Sequence, residues 1–246
     1  MELNGIWDVS FASGIAWAGL SYFSRKPARH GISKARQLLF ATALLLLALI
    51  LVGPLPHLAI RNFTFHMVQH ILLMMLIAPL IVLGSPFKLF RIDRGPFRYL
   101  LKAEVGFGIF LAVLIATHFS PLANAGMRNP NIHSIELILF IVGGVIYYYP
   151  VMEGNPHPFP VPYSVRVLSL FAMMLPETMT GFFLYSGNRL VHSLPDSVTM
   201  KMGLHQQHSG GAIMWGMGML IDTMWIVIAA RDWFVNEAKL AEEEDE

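Results

Sequence analysis

The chain has 246 residues, of which 55% are apolar and only 13% charged, with a net charge of +1, a mean hydropathy of +0.55 and no cysteine. About a quarter charged is usual for a soluble domain, so this composition excludes one and points to a protein embedded in a bilayer, while the near-balanced charge excludes nucleic acid as a partner. Without cysteine there are no disulfides, thiolate sites or thiol nucleophiles, and His, Met and carboxylates are the side chains left to ligate a metal.

Seven apolar segments follow in order, at about 7–23, 37–52, 63–83, 101–119, 132–149, 165–185 and 203–230. Each approaches or exceeds the ~20 residues a helix needs to cross a bilayer, the first being the shortest. Glu2, Asn4 and Asp8 precede the first segment without Lys or Arg, so no cleavable signal peptide is expected and the first span is retained. Pro79 and Pro176 fall within spans, with Gly84 and Gly181 five residues later, which predicts kinks that open space between helices. Tyr147, Tyr148 and Tyr149 read as an interfacial aromatic belt, and the Pro-rich stretch that follows them cannot be helical. The expected fold is all-α: a polytopic membrane protein with one seven-transmembrane-helix domain over 1–246, ending in a short acidic cytoplasmic tail at about 235–246.

The distribution of Lys and Arg sets the orientation. Alternate connections carry Arg25, Lys26, Arg29, Lys34 and Arg36, then Lys88, Arg91, Arg94, Arg98 and Lys102, then Arg166, then Arg231 and Lys239. The other side has Arg61, Arg128, Arg189 and Lys201 only. Thirteen against four predicts an outer N-terminus and a cytoplasmic C-terminus.

With that topology, His57, His66, His70, His118, His133, His192, His205 and His208 all fall at the outer side, and only His30 and His157 are cytoplasmic. Four of them form two same-face pairs: His66/His70 at i,i+4 on the third span and His205/His208 at i,i+3 at the start of the seventh. At ~1.5 Å per residue, His66 and His70 lie about 5 and 10 Å below the start of their helix, level with His205 and His208. A single intramembrane histidine is often a hydrogen-bonding residue between helices, but two pairs at one depth suggest a metal site, and imidazole suits copper, zinc, iron or nickel. Met67, Met127, Met200 and Met202 share that side, and thioethers favour Cu(I). Met74, Met75, Met173, Met174, Met214, Met217, Met219 and Met224 read instead as ordinary packing.

Three carboxylates lie inside spans. Glu177 is the deepest, either a functional charge or a protonated acid bonded to a neighbouring helix. Glu136 shares a helix face with His133 and is placed to orient that imidazole. Asp222 is expected to pair with Lys102 or Arg166. No nucleophile elbow, phosphate-binding loop or dinucleotide fingerprint is present, so an enzyme is not expected.

The run His66-Met67-Val68-Gln69-His70, followed by Ala78-Pro79-Leu80 and Gly84-Ser85-Pro86, resembles the signature of the CtaG family of cytochrome c oxidase assembly factors. The likeness continues through His118 and Pro121, His133 and Glu136, Tyr149-Pro150-Val151, and Gln206-Gln207 with Gly210-Gly211-Ala212-Ile213-Met214-Trp215. The chain departs from that pattern at His205, where an Asp is usual, at Leu137, where a second His is common, and in a His118-to-Pro121 spacing one residue long.

The resemblance implies a seven-helix protein of the bacterial cytoplasmic (inner) membrane, associated with haem–copper oxidases and with copper handling. Its partners would be the bilayer, oxidase subunits or another copper carrier. Combined with the residue pattern, it leads to a copper-binding assembly factor. His66, His70, His205 and His208 hold copper, expected as Cu(I), His118 or His133 serves as entry or exit ligand, and Glu136 and Glu177 stand behind them. The alternative is a structural or haem-binding electron-transfer subunit of the oxidase, with haem less favoured because its two axial ligands come from opposite sides.

Overall fold

A computed structural model describes residues 4–90, 95–152, 156–191 and 198–244. His192, Arg91 and Arg94, which figured in the sequence reading, lie outside the described residues. Among those described the chain is helical throughout, with no strand. The long helices are α1 (Asn4–Ser24), α2 (Lys34–Leu51), α4 (Phe63–Ile71) continuing through a π-helical stretch (Leu72–Ile77) into α5 (Ala78–Leu83), α7 (Ala103–Phe119), α9 (Pro130–Val151), α10 (Tyr163–Ser186) and α11 (Met200–Glu244). Short helices α3 (Leu55–Arg61) and α8 (Pro121–Arg128) lie at one end of the bundle, and α6 (Phe87–Phe90) lies at the other.

All seven expected segments are helices, but they are not equally apolar. Five are long and apolar enough to cross a membrane: α2, the Phe63–Leu83 rod, α9, α10 and α11. A sixth is counted if α7 and α8, which meet at a 66° bend, form one broken span. The bend has a local cause, since Pro121 cannot continue the hydrogen-bond ladder and Ser120 caps the new helix by accepting from Leu122 N. The first helix falls short because Asn4, Asp8 and four serines dilute its apolar residues.

Burial identifies the centre. In the rod Phe63–Leu83, 72% of the apolar stretch is buried, and in α9 61%, against 28% in α2 and 33% in α10 and α11. The rod and α9 therefore form the axis around which the others pack. Close approach relies on missing side chains: a Cβ at Gly144 of α9 would meet Ala78 Cβ at 2.6 Å, and one at Gly211 of α11 would meet Tyr185 N of α10 at 2.4 Å.

One feature differs from expectation, and two extend it. Tyr147, Tyr148 and Tyr149 are not an interfacial belt but are almost fully buried. Their hydroxyls and rings find protein partners: Tyr147 donates to Ser169 O, Tyr149 donates to Pro156 O, and Tyr148 packs against Trp225. The acidic end carries α11 on as helix to Glu244, with its side chains exposed through Glu243. Pro79 is absorbed within one continuous rod. It has no N–H to give to the turn before it, and in that turn the indole N–H of Trp225 on α11 donates to Met75 O at 2.7 Å.

Candidate metal centre

The site is built at the end of the bundle where α4 and α9 begin. Both helices start in the same way. Asn62 caps α4 by accepting from Thr64 N, and Asn129 caps α9 by accepting from Asn131 N. In each case the fourth residue after the cap is a histidine whose own N–H makes the first turn's bond, His66 to Asn62 O and His133 to Asn129 O. Matched caps thus set two imidazoles at matched depth, and their rings stack at 4.8 Å between centroids. One turn further in, His70 follows at 4.0 Å from His66, and Glu136 follows His133.

His66, His70, His133 and Glu136 each offer a ligand atom, and the four atoms lie within 4.8 Å of one another. All four residues are buried. A tetrahedral ion with bonds of about 2.0–2.1 Å has ligand–ligand edges of about 3.3 Å, so side-chain movements of about 1 Å or less bring these donors to bonding distance. Three imidazoles and a carboxylate fit copper, zinc, iron or nickel, and suit hard oxygen-seeking ions poorly.

Two tautomers follow from the hydrogen bonds. Gln69 donates from Nε2 to Ile50 O at 3.0 Å, which orients its amide so that Oε1 accepts from His133 Nε2 at 2.9 Å. With the proton on Nε2, the Nδ1 lone pair of His133 faces the cluster, 3.7 Å from Glu136 Oε2. His118, in the last turn of α7, donates from Nδ1 to Leu114 O at 2.9 Å, which leaves its lone pair on Nε2. Its ring is 5.8 Å from that of His70.

Neither oxygen of Glu136 has a hydrogen-bond partner among the described residues, although the side chain is only 1% exposed. The carboxyl presses against α8, where a Cβ on Gly126 would lie 2.0 Å from Oε2. A buried carboxylate with no donor is costly unless a cation neutralises it.

The seventh-span histidines are not brought to this cluster. The face of α11 turned to α4 is that of Gln206 and Gly210: Gln206 Oε1 accepts from Phe63 N, Gln206 O accepts from Thr64 Oγ1, and a Cβ on Gly210 would meet Met67 Cγ at 2.9 Å. His205 and His208 flank that face, about 100° and 200° from Gln206 around the helix. His205 is exposed, and His208 donates from Nε2 to Gly187 O at 2.8 Å. His57 is also exposed. Asp222 pairs with neither expected cation. It lies beside Glu177, while Lys102 reaches Glu104 at 4.0 Å and Arg166 donates to Val161 O.

Sequence reasoning missed Gln69 as the residue orienting His133, and Gly126 as the space for Glu136. A Gln between two histidines on an apolar helix was the available signal for the first; nothing local marks the second.

The Caa3_CtaG pattern, described as cytochrome c oxidase caa3 assembly factor, matches residues 17–236. The chain belongs to this family. Among curated proteins it is 28% identical over 208 residues to uncharacterized proteins of Mycobacterium bovis and Mycobacterium tuberculosis, covering 74% of this chain and 32% of each relative. An uncharacterized protein of Mycobacterium leprae is 25% identical over 211 residues, with the same coverage. The chain thus spans about a third of the length of the curated relatives it matches. No solved structure matches it. It is thus a member of the family described as cytochrome c oxidase caa3 assembly factor, with five or six helices long and apolar enough to cross a membrane.

Proposed function

We propose that this protein carries copper for a haem–copper respiratory oxidase, holding the ion as cargo among His66, His70, His133 and Glu136 and releasing it to a partner that offers competing ligands. The observation that carries the proposal is Glu136, a buried carboxylate without a hydrogen-bond donor that faces three imidazoles. The donor set alone suits several transition metals; the oxidase-assembly family favours copper among them. His118 stands one ring beyond His70 as an entry or exit ligand.

The membrane arrangement is part of the same proposal. All seven long helices span the cytoplasmic membrane, and the Lys and Arg asymmetry of thirteen against four puts the N-terminus outside. Trp7 of α1 donates to Asn131 of α9, so the N-terminal helix begins at the cluster's end of the bundle. The cluster then opens toward the outer face, under α3 and α8. Centroid separations of 4.0–6.2 Å among the three imidazoles suit one small ion and leave no room for a porphyrin between them.

The deciding experiment is metal analysis with a visible spectrum on the detergent-purified protein. At least one copper per chain without a Soret band, with one equivalent lost in Glu136→Gln and in His133→Ala, is the expected result. No metal after Cu(I) loading would overturn the proposal and favour a structural role, and a Soret band would favour haem.

A further inference from the structure

Beyond the cluster, His70 also forms one wall of a small cavity of about 20 Å³. Its lining includes Met67, Met74, Met75, Met214, His118 and Glu177. A space of that size holds one water or one bare ion. The four methionines come from α4, the π-helical stretch and α11, and none is more than 5% exposed.

Methionine normally serves to fill gaps in a core, because its three rotatable bonds let it adapt. Here four of them surround a gap that stays open. The second observation is His118. With its proton committed to Leu114 O, its Nε2 lone pair has no hydrogen-bond partner among the described residues, in a side chain 2% exposed. An unmet buried acceptor is costly, so an occupant that takes the lone pair is favoured.

We propose that this cavity is a second metal station, specific for Cu(I), in which His118 Nε2 and thioethers of the surrounding methionines bind the dehydrated ion. Thioethers favour soft Cu(I) and bind Zn²⁺ and hard cations weakly. The space has no room for a hydration shell, which disfavours Mg²⁺ and Ca²⁺. The station rests on the reading of the His/Glu cluster as a copper centre, because His70 is the partition between the two and the ion reaches the inner cavity past it.

The test uses the full chain in detergent, loaded anaerobically with Cu(I) as its acetonitrile complex and desalted. Copper per chain and the sulfur component of the copper X-ray absorption spectrum are then measured. The expected result is two copper ions per chain with sulfur scatterers present. Met74→Leu/Met214→Leu falls to one copper without sulfur, whereas Glu136→Gln keeps the sulfur-ligated ion. One copper with nitrogen and oxygen ligands only, lost in Glu136→Gln, would overturn the inner station and leave the outer centre standing. Sulfur scattering unchanged in the double methionine variant would also overturn it. No retained copper would overturn both. Because the sulfur signal is read in the wild-type protein, the result does not depend on how the variants fold.

Discussion

Two histidine pairs enter the bundle on neighbouring helices and end in different surroundings. His66 and His70 begin the central rod, are buried, and meet His133 and Glu136 of α9. His205 and His208 begin α11 with nearly the same spacing, yet one is exposed and the other is bonded to the end of α10. Spacing determines that two residues share a helix face; it does not determine where that face points. The rotation of α11 is set by Gln206 and Gly210, which dock onto Phe63, Thr64 and Met67 of α4.

That contrast can be broken or sharpened by substitution. The largest effect is expected from His70→Ala or Glu136→Gln, each of which should weaken copper binding at the His/Glu cluster more than tenfold, read as loss of the nitrogen- and oxygen-ligated copper in metal analysis and X-ray absorption of the purified protein. Gln69→Leu comes next. It leaves every proposed ligand in place but removes the acceptor that holds the His133 proton on Nε2, and should weaken copper binding about tenfold in a competition titration with a chelator. Gly126→Ala pushes a methyl group into the Glu136 carboxyl and should cost about 1–3 kcal/mol in unfolding measured in detergent, with copper retention reduced severalfold. Gly108→Ala is its control, since nothing lies within 4 Å of the added carbon. The smallest effect is expected from His205→Ala, which should leave copper retention within twofold of wild type. A loss as large as that of His70→Ala would mean that α11 turns its histidines inward when the metal binds.

Much of the architecture was legible because membrane helices are written in long apolar runs, and each of the seven segments is a helix, six of them within a few residues of their expected bounds, while α11 runs on to Glu244. Polar residues dilute the first helix, so its place as a span rests on more than apolarity. The components of the cluster were legible one by one. His66 and His70 stood out by spacing, and His133 and Glu136 by sharing a face. Their combination was not, because it depends on which face α11 presents and on how α9 lies against α4. The Tyr147–Tyr149 run shows the same limit: adjacent aromatics near a span end fit an interfacial belt, but α9 is central, so lipid never reaches them. Met74, Met75 and Met214 are buried in the core, as packing residues would be, and the open space beside them exists only in three dimensions.

The bond from the Trp225 indole to Met75 O has a consequence for how this family can vary. Pro79 removes one donor from this part of the rod, and Trp225 supplies one from another helix, 150 positions beyond Met75. A descendant that replaced Pro79 with alanine would regain a donor within its own helix and would free position 225 to drift. A descendant that kept the proline but lost the tryptophan would carry an orphaned carbonyl in the bilayer. The two positions should therefore change together or not at all, and their joint history across relatives would record a hydrogen bond that neither position reveals alone.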